Sequence, residues 1–326
     1  MTGHFNIYGL ALRISSDHPL LYRTLAADLE HFRTSHPSPA TREAQLRLTA
    51  LPRLSESDGY PADLAPYREM IPQQSIRSDQ TVLRYATSLI TVVAHPRKRQ
   101  VRAGILPEAQ LLPDPAYHLC FTQPVSLWLK QRSLFFLHAG CVAEGSAGVL
   151  IVGHSHAGKS CMSISSVRKN FRFLSDEQPM LTRRGGSVVA LAFPRRIRLD
   201  RAAASLFPEL KRFLRASRAD RIIFPIERVW PGSITETCLP RLLIFPRFQA
   251  RGKLKVKRLH PTGALARLLE DDHFIWYRRR PYRRVSDEHL SLLEELVRQA
   301  SSLEIRYGDS DLPRIPELFR KFLSGG

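Results

Sequence analysis

Residues 148–161 read GVLIVGHSHAGKSC, and this stretch restricts the fold more than any other in the chain. An apolar run that reads as a buried strand turns abruptly into glycine, histidine and serine, and KSCMSISSVRKN beyond it reads as a helix. Gly153, then His154, Ser155, His156 and Ala157, then Gly158, Lys159 and Ser160 match G-x-x-x-x-G-K-[ST] in the strand-to-helix setting that the pattern requires. Backbone N–H groups of such a loop converge on phosphate oxygens, and the positive end of the helix adds to their pull. The expected cofactors are therefore ATP, with Lys159 neutralising its outer phosphates, and Mg2+, with the Ser160 hydroxyl among its oxygen ligands.

A site that moves a phosphoryl group also needs an acid for the metal and, when the acceptor is a hydroxyl, a base for its proton. Asp176 and Glu177 are the candidates, with Asp176 the expected second metal ligand. They close the segment FRFLSDE, whose alternating aromatic positions pin a strand into a core and whose end should emerge at the sheet edge that carries the loop.

The rest of the chain reads as α/β in two domains, with the boundary at the prolines of LLPDPAY, giving residues 1–115 and 116–326. The first is β-rich: FNIYGLALRIS, AQLRLTAL and TVLRYATSLITVVAH alternate apolar and polar residues, and a helix is expected in RTLAADLEHFRT. In the second, SLFFLHAGCVAEGSAGVLIVG predicts two strands joined at 144–147, PMLTRR and SVVALAF two more, and AAASLFPELKRFLR a helix. LPRLLIFPRF, KLKVKRLH and LEIRYG predict further strands, with helices from about Ser286 and Ile315.

Composition narrows the partners. Hydrophobic residues make up 43% and charged ones 24% of 326 residues, the mix of a folded globular protein. No run approaches the length of a membrane span and the N-terminus lacks the pattern of a cleaved signal, which predicts a cytoplasmic protein. Cys120, Cys141, Cys161 and Cys238 lack metal or disulfide spacing. The formal charge of +19 is spread over several arginine clusters, the sharpest being YRRRPYRRV at 277–285, and it leaves nucleic acid open as an anionic partner.

Three motifs together resemble the HPr kinase/phosphorylases and their relatives in the phosphoenolpyruvate-carboxykinase-like group. His138-Ala139-Gly140 resembles the family's His-Gly element, GHSHAGKS its phosphate loop, and LSDEQ its paired-acid element, at the family's own separations. The resemblance implies a P-loop kinase core, an ATP-dependent transfer to a hydroxyl of a peptide, protein or small molecule, and assembly into oligomers. It implies that His138 and Lys159 assist the transferring group and that the acid at 177 accepts the proton. Glutamate stands there in place of aspartate, which leaves the base open between Asp176 and Glu177. FPRRIRLD resembles a stretch of the related kinases found beside peptide-maturation enzymes, including lasso-peptide kinases, and implies that Arg195 faces phosphates or an anionic substrate. The alternative readings are a nucleotide-gated binding protein without catalysis, holding nucleic acid or a protein partner, and a kinase acting on a small molecule or nucleic acid.

Overall fold

The computed structural model describes residues 1–35, 43–50, 73–77, 80–86, 90–95, 99–106, 118–249, 253–271 and 283–325. The chain divides into two compact units, Met1–Arg132 and Ser133–Gly326.

The first unit is built on an eight-stranded sheet with β1 (Thr2–Ile7), β2 (Leu10–Ser16), β3 (Arg33–Thr34), β4 (Ala44–Ala50), β5 (Gln73–Arg77), β6 (Gln80–Ala86), β7 (Ile90–His95) and β8 (Gln100–Ile105) in the order β3-β1-β2-β4-β8-β7-β6-β5. Phe5, Ile7, Leu12, Ile14, Leu46, Leu48, Val101 and Ile105 are buried at alternate positions, so these strands cover one face with apolar side chains. FNIYGLALRIS, expected as one strand, is a hairpin, because Tyr8 (φ 47°) and Gly9 (φ 86°) take the left-handed conformation of a tight turn. The helix expected at 23–34 is α1 (Pro19–Asp28), which begins earlier because Pro19 sits in its first turn and the His18 ring caps Leu21 N–H. A further helix, α2 (Gln123–Lys130), falls in this unit, while the prolines of LLPDPAY lie outside the described residues.

The second unit is mixed α/β. Its nine-stranded sheet contains β9 (Phe135–Phe136), β10 (Ala139–Glu144), β11 (Ala147–Val152), β12 (Arg172–Ser175), β13 (Met180–Arg184), β14 (Ser187–Leu191), β17 (Thr237–Phe248), β18 (Lys255–Arg258) and β19 (Ser301–Tyr307). A separate two-stranded antiparallel sheet pairs β15 (Ile197–Asp200) with β16 (Arg221–Phe224). The helices are α3 (Lys159–Val167), α4 (Arg201–Ser205), α5 (Lys211–Ala216), α6 (Pro261–Asp271), α7 (Arg283–Gln299) and α8 (Ile315–Ser324). The single helix expected over AAASLFPELKRFLR is divided between α4 and α5, since Pro208 cannot continue it. Of YRRRPYRRV, residues 277–282 lie outside the described residues and the last three open α7.

At the centre of this sheet β11, β17 and β19 run parallel and adjacent. Their side chains alternate between two cores: Val149, Ile151, Leu242, Ile244, Leu303 and Ile305 pack with Met162, Ile164 and Phe319 of α3 and α8. Leu150, Val152, Leu243 and Phe245 pack instead with Leu268, Leu292 and Leu296 of α6 and α7. The sheet is thus covered on both faces, as near-continuous apolar strands require. Among the described residues no helix is long and apolar enough to cross a membrane.

Candidate functional site

Strand direction brings the sequence motifs to one end of this sheet. β11 runs up to residue 152 and delivers the loop at 153–158. β10 is antiparallel to it, with Ala139 opposite Val152, so His138 stands at the same end. β12 is antiparallel to β10, with Ser175 opposite Cys141, so Asp176 and Glu177 emerge there too. Backbone bonds on either side of His138, from Leu137 N–H to Pro179 C=O (3.0 Å) and from Ala139 N–H to Glu177 C=O (3.1 Å), tie the histidine segment to the paired acids.

The loop's shape depends on glycine. Gly158 has φ 93° and caps α3, and a Cβ there would lie 1.5 Å from the Tyr307 hydroxyl oxygen. That hydroxyl donates to Ala157 C=O at 3.1 Å, so the end of β19 holds the loop from beneath. Sequence reasoning missed Tyr307; its only local signal is its position as the last residue of the strand in LEIRYG. Gly140 has a packing reason as well: a Cβ on it would meet Ser163 Oγ of α3 at 2.7 Å, so the helix sits close against β10.

Lys159, the first residue of α3, is buried and lies back across the loop, its ammonium donating to Gly153 C=O and, at 3.1 Å, to His154 C=O. His154, Ser155 and His156 are exposed, and the His156 ring is 3.4 Å from the Asp200 carboxylate, which also pairs with Arg221 at 2.7 Å. The loop and the β15–β16 pair therefore touch.

Ser160 Oγ donates to Asp176 Oδ2 at 2.8 Å. Asp176 is 4% exposed and its other oxygen, Oδ1, has no hydrogen-bond partner among the described residues. Burial, then the neighbouring Glu177 charge, push this carboxyl up to about 7 against the opposing pull of Ser160, Lys159 and Arg195. Glu177 is turned outward, its side chain 46% exposed, and meets the buried Arg195 guanidinium at 3.3 Å; Arg195 also reaches Gln178 Oε1 at 3.3 Å. The two acids expected to share a role thus have different surroundings. Among the described residues no cluster of three or more His, Cys, Asp or Glu side chains could hold a metal by itself. The Ser160–Asp176 pair still suits a cation such as magnesium, which takes few protein oxygens and completes its shell with phosphates and water.

The four cysteines are free and buried. Burial, followed by the nearby carboxylates of Asp176, Asp309 and Asp200, raises the Cys161 thiol to about 12, which leaves it inert as a nucleophile beside the loop.

No family model and no curated protein matches the chain. Among solved structures similar to it is the Hpr(Ser) kinase/phosphatase from Coxiella burnetii, at 11% identity, covering 58% of this chain and 99% of that one with a TM-score of 0.30.

Proposed function

We propose that the second unit is a P-loop kinase core of the phosphoenolpyruvate-carboxykinase-like kind, which transfers a phosphoryl group from Mg-ATP to a hydroxyl, that of a serine of a peptide or protein, in the cytoplasm. The observation that carries this reading is the Ser160–Asp176 pair beneath the loop: a serine hydroxyl and a buried carboxylate with one oxygen unpartnered among the described residues, next to a lysine laid over the loop carbonyls. Phosphates would be held by the N–H groups of residues 153–160 and by Lys159. Magnesium would be held by Ser160 and Asp176, and would supply charge neutralisation at the phosphate oxygens.

The acids divide the work by environment. Asp176, enclosed and bonded to Ser160, is the metal-side carboxylate. Glu177, more exposed at the mouth of the site, is the base that takes the acceptor's proton, and its pairing with Arg195 orients it. His138, just before β10 and tied through the backbone of Ala139 to Glu177, polarises at the reacting centre, and Lys159 steadies the charge that develops there.

Incubating the protein with Mg-ATP and a serine-peptide library, and counting ADP and phosphopeptide together, tests this. Transfer that disappears in Glu177→Gln and Asp176→Asn supports the reading. ATP binding with neither ADP nor phosphopeptide for any acceptor returns the nucleotide-gated binding protein.

A further inference from the structure

β18 is an edge strand: among the described residues it pairs only with β19, antiparallel, with Lys255 opposite Arg306 and Lys257 opposite Glu304. On the other side of β19, Arg247 of β17 is level with Arg306. Residues level across a sheet share a face, so Arg247, Arg306 and Lys255 form a row of three cations over three strands, and Lys257 stands one row further along. Like charges placed directly opposite one another are destabilising. Among the described residues the carboxylate set among them is Glu304, which already meets Arg247 (3.2 Å), Arg306 (3.1 Å) and, from α6, Arg267 (2.6 Å). Lys255 and Lys257 are exposed, and Arg247 and Arg306 keep 59% and 50% of their side-chain surface. Such an arrangement stores repulsion that an anion would relieve.

The backbone narrows the anion's form. Leu259 N–H donates to Ser302 C=O at 2.9 Å, continuing the β18–β19 register. Antiparallel pairs alternate between hydrogen-bonded and non-bonded, so Lys257 and Lys255 also turn their N–H and C=O groups toward β19. The backbone groups of Val256 and Arg258 face outward, and among the described residues no strand pairs with them. An antiparallel strand bonding there would set its own side chains directly opposite Lys255 and Lys257, about 4.5–5.5 Å away and about 7 Å apart along the strand.

We propose that the free edge of β18 receives an extended acidic peptide segment as an added strand, with carboxylates at alternate positions meeting Lys255 and Lys257 and lying beside Arg306. Strand addition of this kind takes its affinity from main-chain bonds and its selectivity from alternate side chains. The same lysines repel a second copy of this edge, so they discriminate by charge. Single-stranded nucleic acid fits less well, because it calls for aromatic platforms among the cations, whereas Phe245, the aromatic residue level with Glu304 on this face, is buried under Arg267. The inference goes beyond the nucleotide reading and is measured without nucleotide, so either can fail alone.

The probe is a fluorescein-labelled peptide alternating glutamate and valine, titrated into the full chain at low salt beside an oligouridylate of equal charge. Binding should weaken at least about tenfold in Lys255→Glu/Lys257→Glu and should fall as salt rises. Arg258→Pro removes an outward N–H while leaving the β19 pairing intact, and should weaken the peptide at least about threefold. The neutral pair Lys255→Gln/Lys257→Gln gives the charge effect if the reversed variant does not fold. No binding at low salt would overturn the proposal, as would peptide affinity indifferent to the charge variants. So would oligouridylate that binds as tightly and responds to the same substitutions, or an Arg258→Pro variant that binds the peptide like the original.

Discussion

Two buried carboxylates in the second unit have opposite surroundings. Glu304 on β19 sits against three guanidinium groups; burial raises its carboxyl, but the bonds from Arg267 and Arg306 and the charges of Arg247 and Arg267 outweigh that and hold it below the usual range. Asp176, at the end of β12, is likewise 4% exposed, receives one hydroxyl bond, keeps one oxygen without a partner among the described residues, and is raised to about 7. A carboxylate whose needs are met inside the protein is a structural part. One that is enclosed and left short of partners among the described residues is what the proposed cation site beside the loop at 153–158 would call for.

The largest consequence is in stability against pH. Asp176 has a folded pKa of about 7 against an ordinary value of 3.8, so between those values the folded state binds the proton more tightly than the unfolded chain. Its contribution is fully present below about pH 4 and is lost as pH rises through 7, by up to about 4 kcal/mol. Chemical denaturation without metal should show this decline in the original protein and a flatter profile in Asp176→Asn. The same substitution should reduce phosphoryl transfer about 100-fold or more while leaving the protein no less stable at pH 8, a pairing of effects that separates a functional acid from a structural one.

Glu304→Gln should do the reverse. It leaves three cations crowded without their acid and should cost about 1–2 kcal/mol, a modest value because two of the arginines are half exposed, with Mg-ATP affinity unchanged by calorimetry. A loss of ATP binding in Glu304→Gln with stability intact would break the comparison. The smallest expected effect is on the acid side: Glu304 stabilises above its ordinary value near 4.5 and this is lost as pH falls through its lower folded value, so Glu304→Gln should remove that last acid-limb decline in denaturation profiles.

Much of the loop end could be read from the sequence because it is local. The strand, the loop and the start of α3 follow one another in the chain, and FRFLSDE carries its own alternation. The hairpin turn at Tyr8-Gly9 was less legible, since tyrosine gives little sign that it will take a positive φ. What the sequence did not show are partners brought from afar: Tyr307 under Ala157, 150 residues away; Arg195 between Glu177 and Gln178; and the Glu304 cluster, whose arginines come from β17, β19 and α6. The order of strands in the sheet creates those meetings, and periodicity within a segment carries no information about it.

The most direct measurement is calorimetric titration of Mg-ATP into the full chain and into Lys159→Ala. The expected result is binding by the original protein that weakens at least about 100-fold in the variant, with both proteins melting alike. Absence of binding to the original protein at millimolar Mg-ATP, or equal binding by both, would contradict the reading of residues 153–160 as a phosphate site.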